Sequence, residues 1–349
     1  MNVDQRAFWT QVQGTAPGVH TNGRTPQHNQ AESGSEPAAS DAHDSALWQA
    51  RLSLKHVHDF ALARRVSPWA TLGVVLGRVA CATPCSVVLP PIIGGQASLN
   101  MFVGVVGGSG QGKGGATACA KDAIDFGLVD IREFTPGSGQ GLAHAYAHYD
   151  QKTKAVVRDG YSALFTVEEI EHLAGLQGQQ GSTLKPELRR LWMGEPLGHL
   201  FVDPTKRVPI EAHSYRAALV AGIQPQKAHI LLDDADGGTP QRWVWMLATY
   251  PDHPDVRPDE PDRRQWHLPD QVATGGGTLY EIGVCNIATQ AIESKRTSLA
   301  NVAKAMPSMG ICCSARRSWP LRWTCSSSDS SPIATATSVS RRSPGNWLK

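Results

Sequence analysis

Large apolar side chains recur at helical spacing in ALWQARLSLKHVHDFALARR, at Leu47, Leu52, Leu54, Val57, Phe60 and Leu62. That spacing predicts an amphipathic helix. The next segment, SPWATLGVVLGRVA, opens with Ser67 as an N-cap and Pro68 at the first helical position of a second helix. Both helices are expected at the edge of the core. The pattern then changes. NMFVGVVG is a short, continuously apolar run bounded by glycine, as a buried parallel strand requires. A glycine-rich loop comes next, and residues 113–126 read as a helix. The rhythm repeats downstream. VDIREFT reads as a strand, GSGQGLAHAYAHYDQ as a turn and a helix, and YSALFTVEEIEHLAGL as a strand and a helix. TLKPELRRLWMG reads as a helix, and AALVAGIQP and VWMLATY as buried strands. Strands alternating with helices predict an α/β fold with a mainly parallel sheet covered on both faces. Right-handed crossovers bring the strand C-termini to one edge, where ligand is expected.

The pattern fails at both ends. Residues 14–44 hold almost no large apolar side chains and cannot bury enough surface to offset the cost of ordering. Residues 1–44 are therefore expected to be mostly disordered, residues 45–300 to form the folded domain, and residues 301–349 to be a low-order tail. That tail is rich in Ser and Arg, with Asp329 its only acid, and reads as a solvated basic segment or the frame-shifted end of an interrupted gene. Residues 252–270, rich in Pro and Asp, are expected to be a surface loop.

Composition narrows the classes. The 349 residues are 41% apolar and 18% charged with a formal net charge of +2, which suits a soluble globular protein and advertises no global affinity for nucleic acid. Seven cysteines form no disulfide framework, and Cys81 and Cys85 lack the second pair that a structural zinc site wants. Residues 1–13 are polar, with no leader-like apolar stretch. The apolar runs are far shorter than the ~20 residues of a membrane span. A cytoplasmic protein that does not enter membranes is expected.

The candidate chemistry begins in the loop. Gly107, Gly108, Ser109, Gly110, Gln111, Gly112 and Lys113 satisfy G-x-x-x-x-G-K. Glycines allow the backbone angles that turn successive N–H groups inward onto phosphate. The loop ends at a helix N-terminus, whose free donors favour anions, and Lys113 would reach the β- and γ-phosphates. The next residue normally carries the hydroxyl that ligates Mg²⁺, and here it is Gly114. Thr117 lies one helical turn further on, ~5 Å along the axis, so a water would have to bridge. The run GSGQG recurs at 137–141 without lysine. It is expected to be a helix-capping turn near the nucleotide edge.

A phosphate loop also needs a carboxylate at a neighbouring strand end. Residues 163–167 read as that strand, and Glu168 and Glu169 come directly after it. Glu168 is the candidate metal partner and Glu169 the candidate base for the attacking water. Alternatively the pair only favours the dipole of the helix it opens. Gln224 closes a later strand and either senses the γ-phosphate or bonds backbone. Arg242 comes after a Gly-Thr-Pro turn and either offsets phosphoryl charge, from its own subunit or a neighbour's, or forms a surface ion pair. Arg189 and Arg190 are expected to be solvated on a polar helix face.

SPWATLGVVLGRV, LPPIIGGQASLNMFVGVVGGSGQGKG, FTVEEIEHL, LRRLWMGEPLG, VAGIQP and GGTPQRWVWM together resemble the P-loop ATPase family of actinobacterial prophages and integrated plasmids. That family is similar to phage and plasmid replicative helicase-primase proteins. The resemblance covers about residues 45–295. It implies a RecA-like ATPase core with ATP and Mg²⁺ as cofactors, and a role in replicating a mobile element on DNA, single-stranded in the main. Lys113, Glu168, Glu169 and Arg242 take the family's expected positions, and glycine after the loop lysine is tolerated there. Two departures stand out: no primase domain precedes residue 45, and the family pattern stops near Ala300. The expected function is an ATP-hydrolysing, helicase-like motor core, assembled as a homo-oligomeric ring if Arg242 acts on a neighbour. The alternatives are a truncated prophage remnant that binds nucleotide at most, and a P-loop small-molecule kinase.

Overall fold

The apolar run predicted as a buried strand forms β3, Met101–Val106, and it lies inside a sheet with neighbours on both sides. The structure is a computed structural model and describes residues 46–178, 180–273 and 279–305. The predicted disordered segment, and the tail beyond residue 305, lie outside the described residues. The chain divides into two compact units, residues 1–290 and 291–349. What is described of the second unit is helical, the later part of Asn286–Ala305. The helix thus runs past the boundary predicted at residue 300.

In the first unit, helices α1 (Leu52–Ala63) and α2 (Pro68–Ala82) precede the short strands β1 (Val87–Leu89) and β2 (Ala97–Ser98) and then β3. Helix α3 (Lys113–Ala123) runs into β4 (Ile124–Asp125) and β5 (Glu133–Phe134). A hairpin, β6 (Ala147–Asp150) and β7 (Ala155–Arg158), leads to β8 (Ser162–Val167), α4 (Ile170–Gln177) and α5 (Leu184–Met193). Then come β9 (Arg216–Ile223), α6 (His229–Leu232), β10 (Trp243–Leu247), β11 (Arg264–Gln265), α7 (Asp270–Ala273) and β12 (Tyr280–Glu281).

Five strands form one sheet in the order β10-β3-β9-β8-β5, and every pairing in it is parallel. A fully parallel sheet must bury both faces, and alternation along each strand divides the core accordingly. Phe102, Val106, Phe165, Leu219 and Ile223 join one apolar cluster with α4, α5 and α6. Val103, Val105, Leu164, Ala218 and Val220 join the other with α1, α2 and α3. Helix α2, expected at the edge of the core, does not lie there. It packs across β3, β8, β9 and β10, with Ser67 accepting from the N–H of Ala70 as its cap. Its close approach depends on Gly73, where a Cβ would fall 2.7 Å from Met246 and 2.9 Å from Val103.

The segment 137–150 is not a turn and a helix. It is a turn, a 3-10 helix at Gln140–Ala145 and the first hairpin strand. The buried Tyr146 sets this course, stacking on Tyr215 and donating to the carbonyl of Arg216 at 3.0 Å. The loop at 252–263 is pinned on its way: Arg64 bonds Glu260, Arg65 donates to the carbonyls of Pro254 and Asp255, and β11 pairs with β4. Among the described residues no helix is long and apolar enough to cross a membrane.

Candidate functional site

Because the sheet is parallel, the residues at the C-terminal ends of its strands gather at one edge. The glycine-rich loop leaves β3 there, Glu168 and Glu169 leave β8, and Gln224 leaves β9. Strand β9 lies between β3 and β8, so the loop and the acids face each other across one strand. They line a single cleft of about 740 Å³, together with Thr117, Thr166, Glu133 and Gly222.

The loop has the backbone that its glycines allow. Gly110 and Gly112 take φ values of +76° and +83°, and Gly112 occupies the N-cap position of α3. The loop also binds itself. Lys113 Nζ donates to the carbonyls of Gly107 at 2.8 Å and Gly108 at 2.7 Å. The Gly108 N–H donates to Gln111 Oε1 at 2.5 Å. Burial lowers the Lys113 ammonium below its ordinary pKa, against the opposing pull of the Glu169 charge. Gly114 carries no hydroxyl, and a Cβ built there meets no atom within 4 Å. Thr117 donates to the Lys113 carbonyl at 3.3 Å, one turn back along the helix.

Across the cleft, Glu169 sits at the N-cap of α4, but its side chain does not cap the helix. It accepts instead from Gln224 Nε2 at 3.2 Å. Glu168 is exposed, and its carboxylate meets no partner among the described residues. Glu171 forms an ion pair with Lys227 at 2.7 Å. Gly222 brings the two strand ends together, since a Cβ there would lie 2.1 Å from the Glu168 carbonyl oxygen. Glu133, also in the lining, is held by Lys121 and Arg78, each at 2.7 Å. Burial raises its pKa, but those two hydrogen bonds outweigh burial and keep it below its ordinary value.

The second GSGQG run makes no part of the cleft lining. Ser138 Oγ accepts from the N–H of Gly141, and Gly139 packs against Thr183. It is a turn that caps the 3-10 helix.

Arg242 does not join the others. It stands before β10 rather than after it, so it lies at the opposite edge of the sheet. The five residues of β10, roughly 16 Å of strand, separate it from the loop edge. There it donates to the carbonyl of Gly238 at 2.6 Å and stacks over Trp192. A role on phosphoryl charge within its own subunit is excluded by this placement. Arg189 and Arg190 are not simply solvated: Arg189 pairs with Asp234 at 2.5 Å and Arg190 with Glu187 at 3.0 Å. The recess beside Arg242 holds about 20 Å³, room for one water.

No three His, Cys, Asp or Glu side chains gather into a metal cage among the described residues. Mg²⁺ does not need one, since it keeps several waters and takes one or two carboxylates plus substrate phosphates. The donors facing the cleft are hard oxygens of that kind, with Glu168 foremost. Compared with known proteins, the chain matches no family model and no curated sequence.

Proposed function

We propose that the chain binds ATP on the 107–114 loop and hydrolyses it, as the RecA-like motor core of a replication protein of a mobile element. The observation that carries this reading is the single cleft in which the Lys113 loop faces Glu168 and Glu169 across one strand. The backbone N–H groups of 108–113 would hold the phosphates, and Lys113 would leave its two loop carbonyls to reach them. Glu168 would hold Mg²⁺, which offsets charge on the phosphates when bound. Glu169 would take a proton from a water as that water's oxygen bonds the γ-phosphorus. The bond from the γ-phosphorus to the bridging oxygen breaks, and ADP and phosphate leave. Gln224, fixed on Glu169, would orient that carboxylate.

Arg242 can assist only from a neighbouring subunit, and the ring assembly rests on that. Action on single-stranded DNA rests on the resemblance of the linked segments between residues 45 and 295. The deciding experiment measures ATP binding by calorimetry and ATP turnover with and without single-stranded DNA. Wild type is expected to bind and turn over ATP, and Lys113→Ala to do neither. A Lys113→Ala protein that binds like wild type sinks the proposal. Binding without any turnover marks the chain as a nucleotide-binding remnant.

A further inference from the structure

The loop lacks a hydroxyl at Gly114, and the acid strand has one to spare. Strand β8 reads SALFTV, and its burial falls at Thr166 between the buried Phe165 and Val167. Ala163, Phe165 and Val167 fill the core on one face of the sheet. Leu164, Thr166 and Glu168 point the other way by strand alternation. Leu164 is buried on that side, and Thr166 and Glu168 line the cleft. Thr166 is half-buried on the cleft face, and its hydroxyl makes no hydrogen bond among the described residues.

Between Thr166 and the loop lie Val220, Gly222 and the Lys113 side chain, whose Cε comes within 3.4 Å of where a Gly222 Cβ would be. Thr166 pairs in register with Val220, and the next cleft-facing position of β9 is Gly222, with only a hydrogen. Gly222 pairs in turn with Val105 on the strand that leads into the loop. Of the other hydroxyls lining the cleft, Ser109 lies in the loop itself and Thr117 is already bonded to the Lys113 carbonyl.

We propose that Thr166 replaces the hydroxyl missing at Gly114, so that the cation accompanying the nucleotide is held from the acid strand instead of the loop. Thr166 and Glu168 lie two residues apart on one strand face, roughly 7 Å. That span suits a carboxylate bound to Mg²⁺ directly and a hydroxyl bonded to one of the waters the ion retains. Thr166 is thus a positioning residue for the cation, and the inference rests on the nucleotide-binding reading.

The test compares the dissociation constant of a fluorescent ATP analogue with Mg²⁺ and with EDTA. Wild type is expected to bind more tightly with Mg²⁺. Thr166→Val, close to isosteric, is expected to lose about tenfold of that Mg²⁺ advantage, with metal-free affinity unchanged. Thr166→Ser should keep the advantage. Gly114→Ser added to Thr166→Val should restore it, because the space beside Gly114 is open. A Thr166→Val protein with the wild-type Mg²⁺ advantage overturns the inference and leaves nucleotide binding standing. So does one weakened equally with and without metal, which marks a packing role. Wild type that binds no nucleotide in either condition removes both readings.

Discussion

The side-chain amide of Gln224 donates to a carboxylate oxygen of Glu169 at 3.2 Å, tying together the ends of the adjacent strands β8 and β9. One oxygen of Glu169 is therefore held, on a residue that lines the cleft. Under the hydrolytic reading, Glu169→Gln should lower ATP turnover by about a hundredfold or more while nucleotide affinity stays within about threefold of wild type. Gln224→Ala should lower kcat by about tenfold without raising the dissociation constant. Single-turnover kinetics beside equilibrium binding separates the two effects. A Gln224→Ala protein that changes affinity but not kcat would mark Gln224 as a ligand contact.

Gly222 is where the site and the fold constrain each other. An alanine Cβ would lie 2.1 Å from the Glu168 carbonyl oxygen and 3.4 Å from Lys113 Cε. The oxygen belongs to backbone, so β8 or β9 must shift. Gly222→Ala should destabilise the fold by about 1–3 kcal/mol, the usual cost of overpacking, as read from the urea midpoint. It should also weaken nucleotide binding, because the displaced strand end carries Glu168.

Under the nucleotide-binding reading, Gln111 competes for a donor that phosphate would need. Its side-chain oxygen accepts from the Gly108 N–H at 2.5 Å, and a ligand must displace it. A net hydrogen bond is worth about 1 kcal/mol. Gln111→Ala should therefore tighten nucleotide binding by about three- to tenfold, mostly through faster association in stopped-flow traces. Weaker binding would mean that Gln111 shapes the loop instead of obstructing it.

Stability should fall at alkaline pH. Burial pushes the Cys81 thiol from 9.0 up to about 12 and the Cys119 thiol from 9.0 up to about 11. The unfolded thiols lose protons near pH 9 while the folded ones keep them. The native state then holds more protons, so unfolding becomes easier as pH rises. The contribution is fully present below pH 9 and is lost as pH climbs from there toward 11 and 12. Urea midpoints at pH 8 and pH 10.5 should show the drop, and Cys81→Ala should reduce its size. In the native protein Cys81 should resist alkylation at pH 8.5, while the exposed Cys285 reacts.

Much of this architecture was legible where the chain was either plainly apolar or plainly punctuated. Strands β3, β8, β9 and β10 and helices α1, α4 and α5 announced themselves in that way. Ser67 and Pro68 marked the start of α2, but only the parallel sheet could show that α2 lies across its middle. The course of 137–150 was hidden because Tyr146 is drawn inward by Tyr215, a partner far along the chain. Pairings of two residues, such as β4 with β11, leave no pattern to read. Arg242 carried a signal that was missed. Lys113, Glu168 and Gln224 all come after strands, while Arg242 comes before one, and in a parallel sheet those positions lie on opposite edges.

Strand β9 is buried at all eight of its positions. At its root, Arg216 donates to the carbonyls of Thr83 and Pro84 from a site 1% exposed, and at its tip stand Gly222 and Gln224. Hydrogen bonds to strands on both sides make its amides the last to exchange with solvent water. Under the nucleotide-binding reading the sheet keeps its shape, and the parts that yield are the side chains of Gln111 and Lys113, whose bonds within the loop a phosphate would replace.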